Sequence, residues 1–443
     1  MLKLAKAALP SGAACVRALS AALVLGLALC PVRSVMAQQP SVPRTVAVGA
    51  QAAALGFSRP RLEVLTAALE RGVEAKEIPG AVTIVQRNGK VVYSATMGYR
   101  DAIQHLPMAG DTRFSLASMT KPIVSVAAMT LVEDGRLSLA DPVSKYIPEF
   151  ANLKVGREVT DPSTGDHRLE FDPMVRQPTI QDLMRHTSGL TYPPPFGNSL
   201  VQRRYEEADL RDVAQTNAEF VAKLVKLPLA YQPGSTFEYG FSTDVLGRIV
   251  EIVSGQSLDA FVKARVTDPL CMADTSFTIP DVDRFARASQ PGQIPPAAPR
   301  RFSGGGGLIG TASDYARFAQ MLLNGGELDG VRILSPHSVE MMRSNQLPPN
   351  VVQGGYDLGF AQPSAAMGQG FGLGFAVRLE AGRNPLPGSP GDYYWAGSTG
   401  TYFWIDPREK LVVVLLTASS PSRERYRALA RNLVYQALIT PAQ

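Results

Sequence analysis

The chain has 443 residues, of which 19% are charged, and its formal net charge is +5. The first 37 residues contain four basic side chains and no acidic one, so the remaining 406 residues have a net charge of only +1. This balance gives no reason to propose nucleic-acid binding, and the length of the remainder predicts two lobes. The four histidines are scattered, without cysteines or carboxylates at ligand spacing, so we expect no metal site and no cofactor.

The first 37 residues have the pattern of a secretory signal peptide. A basic start is followed by an apolar stretch over residues 18–32 and by small residues that end at Ala37, where we expect cleavage. The apolar stretch is interrupted by Pro31 and is short for a membrane span, and Cys30 lacks the small preceding residue of a lipid anchor. We therefore expect an exported protein, periplasmic or secreted, with no stable membrane insertion after cleavage. Cys271 is then the one cysteine left, which excludes an intramolecular disulfide.

The first structured region after the signal is predicted to begin near residue 58. Residues 38–57 are rich in Gln, Pro and Ala and are predicted to be a linker. Ser58 then acts as the N-cap of a helix with an early proline. Two β-rich stretches separated by Asn88-Gly89 predict a hairpin, and residues 411–416 form another strand near the end of the chain. We therefore expect one antiparallel sheet built from both termini.

The middle of the chain has a helical and irregular character. Helices are predicted over residues 121–134, 218–225 and 244–253. Residues 155–178 mix charge with proline and glycine without periodicity, so we interpret them as a surface excursion. Residues 347–369 are rich in glycine, proline and polar side chains and are interpreted as a segment that lines or covers a cleft.

Ser118 and Lys121 lie three residues apart at the start of a strongly apolar helical stretch. If the helix begins near Ser118, this spacing places the hydroxyl and the amine on one face. A helix N-terminus also offers free backbone N–H groups and a positive dipole end to an oxyanion. An amine held against a hydroxyl and shielded from water can take its proton, so the pair predicts an activated serine nucleophile. The spacing alone is common by chance.

A serine nucleophile also needs a proton donor for the leaving group and backbone donors for the oxyanion. Tyr239 lies in a turn-rich stretch just before a predicted helix. A phenol near a lysine ammonium has its pKa lowered and can shuttle protons, although a single tyrosine is more often a packed core residue. Ser398 lies in a small-residue stretch before a strand, where its N–H can serve the oxyanion; the alternative there is a plain turn.

Together with these residues, the order of motifs resembles the serine β-lactamase and penicillin-binding-protein superfamily, on its class C branch and near the family VIII carboxylesterases. Ser118-Met119-Thr120-Lys121 corresponds to the first motif of that superfamily. The resemblance covers nearly all of residues 59–438. Further stretches that fit it, in order, are 183–190, Pro233-Gly234, 244–247, 305–308 and 403–407.

The resemblance implies an α+β fold, the α/β sandwich of that superfamily. An antiparallel sheet from both termini would be flanked by helices, with an inserted lobe that is mostly helical. We accordingly expect residues 58–443 to form one β-lactamase-like hydrolase domain. Its sheet lobe would comprise residues 58–117 and 300–443, and its helical lobe residues 118–299.

The resemblance also implies a role for each matching residue. Ser118 would be the acylated nucleophile, Lys121 its proton partner and Tyr239 the general base or acid. The backbone N–H groups of Ser118 and Ser398 would form the oxyanion hole. Gly397 belongs to the small-residue stretch along which a substrate would lie.

Two departures from the lactamase pattern bear on the substrate. Phe241 stands at the Asn of the Tyr-x-Asn motif, and Trp395 stands at the Lys of the Lys-Thr-Gly motif. That Asn recognises the amide of a β-lactam side chain and that Lys attracts its carboxylate, so the site loses an amide ligand and a cation and gains apolar surface. This combination resembles the family VIII esterases. The stretch around His186 is a structural turn in the superfamily, so a catalytic His186 is not expected.

These residues predict an exported serine hydrolase that cleaves small carboxylic esters through an acyl-enzyme on Ser118. A β-lactamase or D-alanyl-D-alanine carboxypeptidase is the alternative among enzymes, with a lactam as the small-molecule substrate. A non-catalytic envelope binding protein of the same fold is the alternative from another class. The chain contains no G-x-S-x-G sequence, which argues against an α/β-hydrolase. The sequence makes no prediction about oligomeric state.

Overall fold

A nine-stranded antiparallel sheet lies at the centre of the structure, a computed structural model that describes residues 42–279, 281–287 and 297–442. Its strand order is β1-β3-β2-β17-β16-β15-β14-β13, with β4 paired to β3; the other strands form short two-stranded pairs. The strands are β1 (Arg44–Val48), β2 (Gly80–Arg87), β3 (Lys90–Asp101), β4 (Leu106–Pro107), β5 (Phe114–Ser115), β6 (Lys154–Thr160), β7 (His167–Pro173), β8 (Thr236–Phe237), β9 (Ile309–Gly310), β10 (Glu327–Leu328), β11 (Val331–Arg332), β12 (Val352–Gln353), β13 (Gln369–Phe371), β14 (Ala376–Arg378), β15 (Tyr393–Ala396), β16 (Thr401–Asp406) and β17 (Leu411–Thr417). The prediction of one antiparallel sheet from both termini is confirmed.

The centre of the sheet joins the two ends of the chain. Strand β17 is apolar along almost its whole length and buried at every position, as expected for a strand covered on both faces. It pairs with β2 on one side and with β16 on the other. Between β2 and β3 the chain turns at Asn88 and Gly89, whose φ angles of 53° and 73° give the left-handed geometry that a two-residue hairpin needs.

Helices cover both faces of this sheet. Phe403 and Trp404 are neighbours in β16, so their side chains point to opposite faces. Phe403 contacts Tyr315 of α8, whereas Trp404 stacks on Tyr435 of α10. The helices are α1 (Arg59–Glu74), α2 (Thr120–Glu133), α3 (Ile180–Met184), α4 (Leu200–Glu207), α5 (Asn217–Leu224), α6 (Ser242–Ser254), α7 (Leu258–Val262), α8 (Ala312–Leu323), α9 (Pro336–Met342) and α10 (Arg423–Ala437). Helix α10 packs beside α1, so the first and last helices share one face.

Helix α2 is the buried centre of the helical region. Residues 120–131 are all buried, and the helix contacts α6 and α7. It begins at Thr120, directly after a 3₁₀ turn formed by Ala117–Met119, and ends before Gly135, whose φ is 70°. The apolar sequence explains the burial, and the predicted helix over residues 121–134 agrees to within one residue at each end.

Two segments differ from the predictions. Residues 44–48, inside the predicted linker over 38–57, form the edge strand β1, which pairs with β3. Residues 154–173, which overlap all but the end of the predicted surface excursion over 155–178, form the hairpin β6–β7. Strands β1, β6 and β7 are largely exposed, so none of them has the apolar alternation by which a sequence indicates a strand.

The described residues, from Val42 onward, fold as one compact unit. Within those ranges, every helix is too short or too polar to cross a bilayer. The predicted signal peptide over residues 1–37 and the start of the predicted linker lie outside the described residues.

Candidate active site

Ser118 lies in the 3₁₀ turn that leads into α2, and its side chain is half-buried at the base of a cleft. The preceding residue, Ala117, has a φ of 46°, a left-handed conformation that is uncommon for a residue with a side chain. Two threonines of the β15–β16 turn fix the backbone just ahead of the serine. Thr399 Oγ1 donates to the carbonyl of Ser115 at 2.7 Å, and Thr401 Oγ1 donates to that of Leu116 at 3.1 Å. The serine is therefore held between the sheet and α2.

Lys121 is 1% exposed and its amine has three partners. Nζ lies 3.3 Å from Ser118 Oγ, 3.1 Å from Tyr192 Oη and 2.6 Å from the carbonyl oxygen of Gly305. The carbonyl and the phenol can each accept one amine proton, which leaves the remaining position of Nζ facing the serine. There a neutral amine accepts the serine proton and an ammonium returns it, so the geometry suits both directions of a proton transfer.

Tyr239 is buried beside the same serine. Its hydroxyl accepts the indole N–H of Trp395 at 3.2 Å, and Ser118 is close enough to lower its pKa. Lys121 Nζ lies over the ring, 4.5 Å from its centroid. Burial raises the pKa of the Tyr239 phenol above its ordinary value, against the opposing effects of Ser118 and of the Trp395 hydrogen bond. The expectation that the lysine ammonium lowers this pKa is therefore wrong, because desolvation of the phenol dominates.

Two cavities meet at Ser118 and Tyr239. The first has a volume of about 440 Å³ and is lined by aromatic side chains, including Phe241. The second has a volume of about 230 Å³ and is lined by Trp395 and Gly397, together with the segment that contains Tyr356. Ser118 therefore has room for one part of a substrate on each side.

Phe241 and Trp395, which stand at the positions of the missing Asn and Lys, make different contacts. The ring of Phe241 packs edge-on against Tyr192 at 4.7 Å and at a tilt against Phe220 at 5.3 Å, so it adds apolar surface to the first cavity, which Arg211, Asp244 and Arg301 also line. Trp395 is 2% exposed, and besides donating to Tyr239 its ring packs on Phe371. The sequence predicted apolar surface at both positions but did not predict the hydrogen bond to the phenol.

Gly397 and Ser398 lie where the β15–β16 turn meets the nucleophile. A Cβ atom on Gly397 would lie 2.3 Å from the carbonyl oxygen of Leu116, so only glycine allows the two backbones to approach this closely. This approach brings Ser398 beside Ser118, and both line the two cavities. The structure thus brings together all seven predicted site residues: Ser118, Lys121, Tyr239, Phe241, Trp395, Gly397 and Ser398.

The structure also brings residues to the site that sequence reasoning missed. Tyr192 and the Gly305 carbonyl bind the lysine, and Arg427 of α10 lines the second cavity and donates to the carbonyl of Gly397. Burial lowers the pKa of the Arg427 guanidinium. The inferred loss of a cation at the third motif is therefore offset by an arginine from another element. Residues 347–369 were predicted to line a cleft, and Tyr356 does line both cavities.

His186 lies behind Tyr239 and away from the serine. Its ring centroid is 4.7 Å from that of Tyr239 and 5.7 Å from that of Phe371. Burial, with a smaller effect of the Lys121 charge, places the pKa of its imidazole well below the usual value. The histidine is therefore neutral and packs the tyrosine, as expected for a structural turn.

Known proteins match this chain over most of its length. The family model described as Beta-lactamase matches residues 65–437. An uncharacterized protein of Mycobacterium tuberculosis is 35% identical over 371 residues, covering 80% of this chain and 89% of its own length. Esterase EstB of Burkholderia gladioli is 32% identical over 388 residues, again covering 80% of this chain and 89% of its own length. The solved structure of EstCE1, described as a hydrolase with promiscuous acyltransferase activity, is 27% identical with a TM-score of 0.69, covering 85% of this chain and 98% of its own.

Proposed function

Because this chain belongs to the Beta-lactamase family, near the family VIII esterases, we propose that it hydrolyses carboxylic esters through an acyl-enzyme on Ser118. The family match confirms the superfamily and the fold class that the sequence predicts. The similar proteins include an esterase and a hydrolase, which supports a serine-type hydrolase at the level of the family. The ester bond as the target of this chain is our inference from the site.

One observation carries the proposal. Ser118 Oγ lies 3.3 Å from Lys121 Nζ and, together with the buried phenol of Tyr239, lines both of the cavities that meet there. A nucleophile, a proton acceptor and a proton donor are thus assembled around one point that a substrate can reach. The aromatic lining supplied by Phe241 favours an apolar acyl group over one that carries an amide.

Acylation follows from these contacts. Ser118 Oγ attacks the ester carbonyl carbon while its proton passes to Lys121 Nζ, and the backbone N–H groups of Ser118 and Ser398 stabilise the oxyanion. The bond to the alcohol then breaks, and the phenol of Tyr239 gives its proton to the departing oxygen. The raised pKa of Tyr239 suits this step, because it keeps the phenol protonated until the leaving group needs the proton.

Deacylation uses the same groups in reverse. The Tyr239 phenolate takes a proton from water, whose oxygen attacks the acyl carbon. The bond to Ser118 breaks, and Lys121 returns its proton to the serine oxygen. The phenol, amine and serine then have their starting protons, and one ester and one water have become an acid and an alcohol.

Substitution of the serine tests this proposal. We expect Ser118→Ala to lose at least about a thousandfold in kcat/KM on p-nitrophenyl butyrate, the scale of loss for removing a nucleophile. Mass spectrometry after treatment with a fluorophosphonate should find the adduct on the peptide that contains Ser118. Ser115→Ala is the matched control, since Ser115 lines the same cavity three residues earlier and should keep both activity and labelling.

The outcomes separate the alternatives. Full activity in Ser118→Ala would refute the acyl-enzyme. A folded wild-type protein that neither hydrolyses esters nor takes the fluorophosphonate would support a non-catalytic binding protein of the same fold.

A second candidate is hydrolysis of a β-lactam, and Arg427 is the observation that favours it. Its guanidinium lines the cavity beside Trp395, and its Nε is buried without a hydrogen-bond partner among the described residues. Glu424 lines the same cavity and pairs with Arg427 at 2.5 Å, so a carboxylate on the leaving side of a substrate would compete with Glu424 for that charge. If a chromogenic cephalosporin is turned over with a higher kcat/KM than p-nitrophenyl butyrate, the lactam is the better substrate; we expect the reverse.

A further inference from the structure

A third cavity lies behind the catalytic cleft. It has a volume of about 290 Å³ and borders α7 and the π-helical turn at Lys263–Thr267. Val262, Met272 and Leu308 give it an apolar part. Among the described residues, Phe277 is the one that lines both this cavity and the 440 Å³ cavity that contains Ser118. Its ring therefore belongs to the partition between the two spaces.

A strip of backbone without side chains leads from the catalytic residues to that ring. Gly305 contributes the carbonyl that binds Lys121, and Gly306 lies beside Ala117. At Gly307, a Cβ atom would lie 2.9 Å from Cδ1 of Phe277. The three glycines all line the first cavity, where the Cβ positions of Gly305 and Gly307 are filled by Asp244 and by Ser303 with Phe277. Ser118, these glycines and Phe277 line the same cavity, so a chain bound to Ser118 that followed the glycines would reach the ring of Phe277.

The ring of Phe277 is held in place. It is 3% exposed and packs edge-on against Phe302, with 5.6 Å between the ring centroids. The preceding residue, Ser276, exchanges two backbone hydrogen bonds with Ile309, of 3.0 and 2.8 Å. A buried ring next to a hydrogen-bonded backbone has little freedom to move aside, so the ring stays between the two cavities.

We propose that Phe277 is a specificity-determining residue that sets the longest acyl chain the enzyme accepts. The acyl chain lies along the glycine strip and ends at the ring of Phe277. When the ring is removed, a longer acyl chain can extend into the third cavity. The inference rests on the proposed ester hydrolysis. It adds the substrate class, namely esters whose acyl chain ends before Phe277.

A series of p-nitrophenyl esters from acetate to dodecanoate tests this inference. In wild-type protein we expect kcat/KM to fall steeply beyond a limiting chain length. In Phe277→Ala we expect the ratio of kcat/KM for decanoate to that for butyrate to rise at least about tenfold, since one methylene that does not fit an apolar pocket already costs about that factor. Phe277→Leu, which restores part of the volume, should give an intermediate ratio and serves if the alanine variant fails to fold.

Phe302→Ala is the matched control. It removes the ring that supports Phe277 but lines neither cavity, so the ratio of decanoate to butyrate should rise by less than in Phe277→Ala. An unchanged ratio in folded Phe277→Ala, or an equal rise in Phe302→Ala, overturns the inference. Wild-type protein that cleaves no ester of the series overturns the proposed function instead, and this inference with it.

A covalent probe gives a readout independent of turnover. Butyl and decyl p-nitrophenyl phosphonates should label Ser118 of Phe277→Ala at similar rates, whereas wild-type protein should react more slowly with the decyl compound. Equal rates for both compounds in wild-type protein would contradict a length limit at Phe277.

Discussion

Trp395 occupies the position of the lysine in the Lys-Thr-Gly motif. Its indole hydrogen-bonds to Tyr239, the residue that transfers the proton to the leaving group. The N–H donates to Tyr239 Oη at 3.2 Å, inside a pocket where the phenol is fully buried. A hydrogen bond donated to a phenol oxygen favours the phenolate. Trp395 therefore stabilises the anion that forms when Tyr239 has given its proton to the leaving alcohol.

Removing that hydrogen bond should make Tyr239 a weaker acid. In Trp395→Phe the pKa of the phenol should rise further, so protonation of a poor leaving group becomes slower. We expect kcat/KM to fall about five- to tenfold for ethyl butyrate, as for the loss of a hydrogen bond of about 1 kcal/mol. It should change less for p-nitrophenyl butyrate, whose phenolate leaves without a proton. The measurement is the ratio of the two values.

Trp404→Phe is the control for this prediction. Trp404 is also buried in the sheet, and its indole N–H has no acceptor among the described residues. Its replacement should leave the ratio of the two esters unchanged. A uniform loss for both esters in Trp395→Phe would indicate a packing role instead of support for the phenolate.

Also at the scale of residues, sequence analysis predicted the site residues that lie in recognisable motifs and did not predict those that lie outside them. Ser118 and Lys121 are separated by one helical turn, so their contact follows from local geometry. Tyr192 reaches the same lysine from a loop 71 positions further along the chain, and nothing in its immediate sequence indicates a partner. Arg427 belongs to a helix with three other arginines, of which Arg431 is also buried, and nothing in the local sequence indicates which of them faces the cleft.

At the scale of elements, helix α3 and the loop after it support the tyrosine side of the cleft. The backbone N–H of Glu238, beside Tyr239, donates to the carbonyl of His186 at 2.9 Å. Asp182, fully buried in α3, holds this loop by accepting hydrogen bonds from Thr187 Oγ1 at 2.7 Å and from several cationic and backbone donors. One carboxylate thus fixes the position of the loop that bonds to the backbone beside Tyr239.

Acid should weaken this part of the molecule through Asp182. Burial alone would raise the pKa of its carboxyl, but the hydrogen bonds from Arg176, Thr179, Thr187 and Arg185 lower it to about 2, from 3.8. A lowered pKa stabilises the folded state above the unfolded value, and the gain is lost as the pH falls from about 4 to about 2. Asp182→Asn should therefore reduce the free energy of unfolding by at least about 2 kcal/mol at neutral pH.

Urea titrations at several pH values measure this effect. The difference between wild-type protein and Asp182→Asn should shrink as the pH falls below about 4, and a difference that stays constant with pH would contradict the linkage. Asp172→Asn is the control, because Asp172 lies on the exposed hairpin β6–β7, where its ion pair with Arg157 is open to water and worth little.

That hairpin also shows why some elements escaped prediction. Its strands are joined by exposed cross-strand ion pairs, such as Arg157 with Glu170 at 2.7 Å, and bury little apolar surface. Strand β1 is likewise defined by its backbone pairing with β3 and not by its own side chains. Apolar periodicity detects burial, so it found β2, β3 and β17 and could not find strands that stay in water.

At the scale of the whole molecule, the proposed location depends on the first 37 residues. We expect expression of the full chain in a bacterial host to give a mature protein that begins at Gln38, after cleavage following Ala37. N-terminal sequencing of the periplasmic or secreted material measures this. Ala37→Pro, which blocks the small-residue site, should leave the precursor uncleaved. A mature protein that keeps Met1 would contradict export through this signal.

The overall arrangement was predictable in class but not in detail. The order of the motifs indicated the family. The family in turn predicted an antiparallel sheet built from both termini with helices around it. The order of the strands depends on contacts between segments hundreds of residues apart, which no local pattern contains. The same holds for the partition at Phe277, since it arises where the glycine strip, a β-bridge and a π-helical turn meet.

The pairing of β2 with β17 has a consequence for the order in which the protein is made. Residues 80–87 are synthesised long before residues 411–417, their neighbour in the sheet. Until then the sheet lacks its central strand, and β2 and β3 are a hairpin with one open edge, which is marginal in water. The nascent chain therefore cannot complete this sheet until β17 has been synthesised.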